Sequence, residues 1–150
     1  MNEALEQRRS QLGLLARSPQ ADIAGHLASL GETPAWRWLR KPETGMVMLR
    51  GRVGGTGAQF NIGEATVTRC ALRLNDGTVG VGYVRGRSAR HAELIALCDA
   101  LLQQPALAAR VASTVLAPLA EAERQRHAQR AAEVAGSKVD FFTLVRGEDK

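Results

Sequence analysis

Six arginines, a glycine cluster and one histidine–glutamate pair are the residues of this chain whose types and spacing could do chemistry. Arg50 and Arg52 stand two apart, Arg69 and Arg73 four apart, and Arg85 and Arg87 two apart. On extended backbone those spacings put each pair on one face. If the strand faces align, one surface presents six guanidiniums. Such a surface suits a polyanion such as a triphosphate, held by bidentate, charge-assisted hydrogen bonds. The plainer reading is a sheet with polar residues outward and apolar residues inward. The choice turns on strand register, which spacing does not reveal. Gly54, Gly55 and Gly57 could cradle phosphate through backbone N–H groups. They match neither the Gly-Lys-Ser/Thr phosphate loop nor a dinucleotide fingerprint, and a connection between two strands explains them equally. His91 and Glu93 could act as an acid–base pair. Equally, Glu93 could complement the positive end of a helix. His26, His91 and His127 have no metal-ligand spacing, and no Ser–His–Asp set is visible by spacing.

Charge concentrates around these residues. The chain has 150 residues and a net charge of +5. Ten basic and three acidic residues fall between Arg37 and Arg90, an excess of +7, while residues 1–36 and 91–150 come to −1 each. Seventeen of the twenty basic residues are arginine, the side chain suited to phosphate and carboxylate. Aromatics make up only 4% of the chain, which argues against recognition of single-stranded nucleic acid by base stacking. Cys70 and Cys98 lack a Cys-x-x-Cys spacing and read as buried thiols in a reducing compartment. No signal-peptide pattern and no apolar run of the ~20 residues that span a bilayer is present. The expected location is cytoplasmic, without membrane association.

The elements that must position these residues can be read from periodicity. Leu5, Leu12, Leu15 and Ala16 fall at helical spacing, and a second helix starts at Ser18-Pro19 and runs to about Leu30, before Gly31. Ala35–Arg40 predicts a short strand, Lys41-Pro42-Glu43 a turn, and Gly45–Val53 a second strand. Ala65–Leu74 alternates most clearly, and Asn75-Asp76-Gly77 predicts a hairpin into Thr78–Arg87. Gly80, Gly82 and Gly86 share parity in that last strand, the mark of a closely approaching backbone. Ser88 predicts an N-cap, with Leu94, Leu97, Leu101 and Leu102 as the buried stripe beyond it. A helix through Val111, Val115 and Leu116 is predicted to end near Pro118, and Leu119–Val134 predicts an exposed helix. The apolar tail, residues 138–145, must pack on this domain or another chain. The fold class expected is α+β: one domain, 1–150, with an antiparallel sheet of about four strands (about 35–87). N-terminal helices (about 3–30) and C-terminal helices with the apolar tail (about 88–147) flank it.

The ordered motifs resemble the PhnG family of the bacterial carbon–phosphorus lyase system over nearly the whole chain. They are Glu43-Thr44-Gly45, Gly54-Gly55-Thr56-Gly57, Phe60, Gly63-Glu64-Ala65-Thr66-Val67-Thr68-Arg69, Arg73-Leu74, Asp76-Gly77-Thr78, Gly86-Arg87 and His91-Ala92-Glu93. Asp99-Ala100-Leu101, Gln103-Gln104 and Ala117-Pro118-Leu119 continue the series, which closes on Lys138-Val139-Asp140-Phe141-Phe142-Thr143-Leu144-Val145-Arg146-Gly147. The resemblance implies a subunit of a core complex with PhnI-like, PhnH-like and PhnJ-like chains, assisted by a PhnL-like ATPase protein. It implies phosphonate metabolism through a transferase step in which an alkylphosphonate displaces adenine from MgATP. The product would be ribose 1-methylphosphonate 5-triphosphate. It implies no cofactor bound by this chain alone, with ATP and magnesium entering as substrate of the complex. The isolated chain would be inactive, and the resemblance transfers no catalytic residue.

Two readings compete with a complex subunit. The pI near 10 fits a basic nucleic-acid-binding module, against which stand the few aromatics and near-neutral flanks. His91 and Glu93 fit a stand-alone phosphate-ester enzyme. The guanidiniums and glycines named above are then contacts to an anion or to a partner.

Overall fold

A computed structural model of the chain describes residues 2–137. Two helices, α1 (Asn2–Arg17) and α2 (Gln20–Ala28), precede three strands, β1 (Trp36–Arg52), β2 (Gln59–Leu74) and β3 (Val79–Arg85). Helix α3 (Ala89–Leu102), the single turn α4 (Ala108–Val111), a π-helical stretch (Ala112–Leu116) and α5 (Ala117–Gly136) follow. The sheet is antiparallel in the order β1-β2-β3. The class is the α+β arrangement expected. The apolar tail lies outside the described residues.

Alternation places Thr68, Cys70, Leu72 and Leu74 on one side of β2, where all are buried. Trp36, Trp38, Gly80, Gly82 and Val84 share that side by register. Helix α3 lies against it, sandwiched between the sheet and the remaining helices, and is buried nearly all round. The close approach comes from small residues on both elements. A Cβ on Gly80 would run into the Ala96 carbonyl oxygen and sit 2.8 Å from Ala100 Cβ. One on Gly82 would meet the Ala92 carbonyl and lie 3.0 Å from Cys70 Sγ. Ala92, Ala96 and Ala100, four apart, form the ridge that fills the space the glycines leave. Gly86 has no such role; its φ of +90° makes the bend out of β3.

Three expectations are corrected. Residues 41–43 are not a turn, so the sheet has three strands rather than about four. β1 runs through Pro42 with register shifts on either side of Arg40, because an edge strand tolerates a missing N–H donor. β2 begins at Gln59, six residues before Ala65, so β1 and β2 form a long hairpin arm reaching beyond β3. The helix through Val111 does not end at Pro118 either. The π-helical stretch just before the proline carries the carbonyl that its ring would strike, and the helix runs on to Gly136.

The core also fixes the thiols. Burial pushes Cys70 up to about 11 and Cys98 to about 12, with Glu93 and Asp99 respectively adding to the effect. Both stay protonated at neutral pH, and the thiolate is the reactive form. Iodoacetamide is expected to label neither cysteine in the folded chain and both in denaturant. Rapid native labelling of either would contradict this packing.

Candidate functional site

Among the described residues the helices cover one sheet face only. On the other, cross-strand register places Arg37 opposite Arg73, Glu43 opposite Arg69, and Arg85 opposite Val67. Arg40, opposite Ala71, joins them. The carboxylate of Glu43 accepts from Arg69 Nε at 2.8 Å and lies 3.5 Å from Arg40 Nη1. Arg37, Arg73 and Arg85 form no ion pair among the described residues. Like charges directly opposite across a ladder repel, and Arg73 Nε is buried without a hydrogen-bond partner. Tyr83 and Val81 are exposed on the same face.

Register therefore separates the six arginines. Arg69, Arg73 and Arg85 share the outer face. Arg50 and Arg52 follow the parity of Thr44, Met46 and Met48, the other side of β1. Thr44 meets Thr68 there, Oγ1 to Oγ1 at 3.4 Å. Arg87 lies past the Gly86 bend, exposed. Arg37 and Arg40 were missed as members of the face. The signal for Arg37 was its place between Trp36 and Trp38, whose rings stack edge-on at 4.6 Å toward the helices.

Gly54, Gly55 and Gly57 make the tip of the hairpin arm. The turn needs φ of +59° at Gly54 and +78° at Gly55. Gly57 donates its N–H to the Val53 carbonyl at 3.3 Å, and Arg52 Nη1 donates to the Gly57 carbonyl at 3.0 Å. The arm exposes Met46, Met48, Leu49, Val53, Phe60 and Ile62. Two strands alone are marginally stable in water, and contiguous exposed apolar surface is a general feature of contact sites.

His91 and Glu93 are not assembled as a pair. His91 Nε2 lies 3.0 Å from the Leu15 carbonyl oxygen, an acceptor, so that nitrogen carries the proton and ties α3 to α1. Glu93 is paired with Arg90. Ser88, at the N-cap, turns its hydroxyl to Gln20 at 2.9 Å instead of capping. A cleft of about 620 Å³ opens beside His91, lined by Ala16, Arg17, Tyr83, Val84 and Arg85. Arg17 is held by Glu123 of α5 at 2.7 Å, an interaction that raises the guanidinium further and lowers the carboxyl below its ordinary range. Asp99 is a further residue that spacing did not single out. It is 2% exposed and accepts from Arg8 Nε at 2.9 Å, Arg8 Nη2 at 2.8 Å and the Val81 N–H at 2.8 Å.

Among the described residues no group of three or more His, Cys, Asp or Glu side chains is placed to hold a metal ion. No helix there is long and apolar enough to cross a membrane. Among the described residues the arrangement offers a cationic sheet face, an apolar arm and a basic cleft, but no nucleophile–base constellation.

The family model for phosphonate metabolism protein PhnG matches residues 6–147. The alpha-D-ribose 1-methylphosphonate 5-triphosphate synthase subunit PhnG of Rhizobium meliloti (strain 1021) is 43% identical over 145 residues, covering 95% of this chain and 91% of the relative.

Proposed function

The chain belongs to the PhnG family of phosphonate metabolism proteins, and we propose that it is a non-autonomous subunit of an alpha-D-ribose 1-methylphosphonate 5-triphosphate synthase. In the proposed reaction an oxygen of an alkylphosphonate bonds to C1′ of the ribose of MgATP. The bond from C1′ to adenine breaks, and adenine leaves with its bonding pair. ATP and magnesium are substrates of the complex, and the partners are PhnI-like, PhnH-like and PhnJ-like chains with a PhnL-like ATPase protein. The role of this chain is to dock and steer. Its sheet face collects arginines that repel one another within the chain, and a carboxylate-bearing partner or an anionic substrate relieves that repulsion. The observation that carries this reading is Arg73, set opposite Arg37 with a buried, unpartnered Nε.

Co-expression with a PhnI-like chain is the direct test, and a stoichiometric complex is the expected result. Arg73→Glu should weaken that complex by about tenfold or more, the scale of one charge-assisted contact removed and repulsion introduced. The isolated variant should melt no lower than the parent, because the new carboxylate faces Arg37. A chain that never co-purifies with such a partner, or a variant that binds as well as the parent, would overturn the reading. Tight binding to generic duplex DNA with a steep salt dependence would favour the nucleic-acid module instead.

A further inference from the structure

Among the described residues β3 is an edge strand, and only part of its free edge is closed. Gly86 donates to the Thr66 carbonyl at 2.8 Å, and Leu74 donates to the Thr78 carbonyl at 2.9 Å. Alternation then assigns the backbone groups of Gly80, Gly82 and Val84 to β2. Those of Val79, Val81, Tyr83 and Arg85 point away from it. Two are capped: Gln103 Nε2 donates to the Val79 carbonyl at 2.8 Å, and Asp99 Oδ2 accepts the Val81 N–H at 2.8 Å. The capping stops there. The Val81 and Tyr83 carbonyls and the Tyr83 and Arg85 N–H groups have no partner among the described residues. These four groups alternate acceptor and donor along one edge, beside the cleft that Ala16, Arg17 and His91 line on its far side.

Natural sheets close or blunt their edges. The other edge of this sheet, β1, is interrupted by Pro42 and by three register shifts. The Tyr83–Arg85 edge carries no proline, lysine or bulge, and it opens on the cleft that Ala16 and Arg17 of α1 close on the far side.

We propose that this edge takes an extended segment of a partner subunit as an added strand. The segment would carry a carboxylate where it passes Arg85. Main-chain hydrogen bonding would supply affinity, and alternate side-chain positions specificity. Arg85, which lines the cleft, has no ion pair among the described residues, whereas Arg17 is already held by Glu123, so the unmet charge calls for a carboxylate at Arg85. Free phosphate would use the guanidiniums and N–H groups and leave both carbonyls unmet. The inference rests on the chain being a subunit of a complex.

Residue-resolved amide exchange on the full chain, free and in the co-expressed complex, tests it. The Val81 amide should be protected in both states. Those of Tyr83 and Arg85 should exchange rapidly in the free chain and slow by about a hundredfold or more in the complex, as a buried strand does. Tyr83→Pro removes the donor at a position whose N–H β2 does not use, and should weaken assembly by about tenfold or more. Tyr83→Ala, which keeps the donor, should stay within about twofold of the parent. If the complex forms with both amides still unprotected, or if alanine weakens it as much as proline, the strand proposal falls and the subunit reading stands. If no complex forms, both fall. Protection of the free chain by inorganic phosphate or ATP, or through its own dimerisation, would also overturn the added strand.

Discussion

Gly82→Ala is expected to leave the chain largely unfolded or insoluble. The added methyl group points at the Ala92 carbonyl, with the carbonyl carbon 2.8 Å away. That atom is backbone in the middle of α3 and cannot rotate aside. The helix must lift off the sheet, and it is buried nearly all round. Overpacking a core commonly costs ~1–3 kcal/mol; a clash with helix backbone belongs at or above the top of that range. Gly80→Ala should behave alike, since its Cβ meets the Ala96 carbonyl oxygen and lies 2.8 Å from both the Ala100 nitrogen and Cβ. Gly63→Ala, on the hairpin arm with no atom within 4 Å of the new Cβ, should change stability by no more than about 0.5 kcal/mol. Urea unfolding of the three variants decides: a soluble Gly82→Ala chain as stable as Gly63→Ala would refute the close packing of α3 on β3.

The same two glycines mark how far the sequence could be read. Their shared parity in a strand announced close approach, and α3 supplies it. The alternation of Ala65–Leu74 and the Asn75-Asp76-Gly77 hairpin were legible because period and turn chemistry are local. The Gly77 φ of +96° is what that turn demands. Pro42 and Pro118 misled for a common reason. Proline removes a local donor, but an edge position or a π-helical turn makes the loss harmless, and neither is encoded locally. The six arginines were legible as pairs, not as a surface. Alternation along β1 puts Arg50 and Arg52 on the side of Trp36 and Trp38, while Arg37 lies on the face opposite them and the register shifts flanking Arg40 bring Arg40 to the same face as Arg37. His91 looked chemical beside Glu93. Three-dimensional context shows its ring bonded to the Leu15 carbonyl and Glu93 paired with Arg90.

Asp99 was the least legible residue, an acid inside an apolar helix pattern, and the second large effect is expected there. Its carboxylate joins three elements: α3 that bears it, α1 through both nitrogens of the Arg8 fork, and β3 through the Val81 N–H. The Arg8 guanidinium beside it is held further above its ordinary value. Asp99→Ala strands the Val81 N–H, leaves a gap and releases α1. Arg8 is 38% exposed and can turn to water, so the loss should fall near the lower end of the ~3–5 kcal/mol for a broken buried pair. That is about 10 °C in melting temperature for a chain of this length. Asp99→Asn keeps the volume but turns an amide N–H toward a donor, and should recover only part of the loss. Arg8→Ala leaves the 2% exposed Asp99 carboxylate with only the Val81 N–H and should cost about 3 kcal/mol or more, and the double variant less than the sum, because both remove one interaction. If Asp99→Asn melts with the parent, the carboxylate is not the tie. If it melts well below and the Val81 amide then exchanges freely, Asp99 is what sets where the closed part of the β3 edge ends and the open part begins.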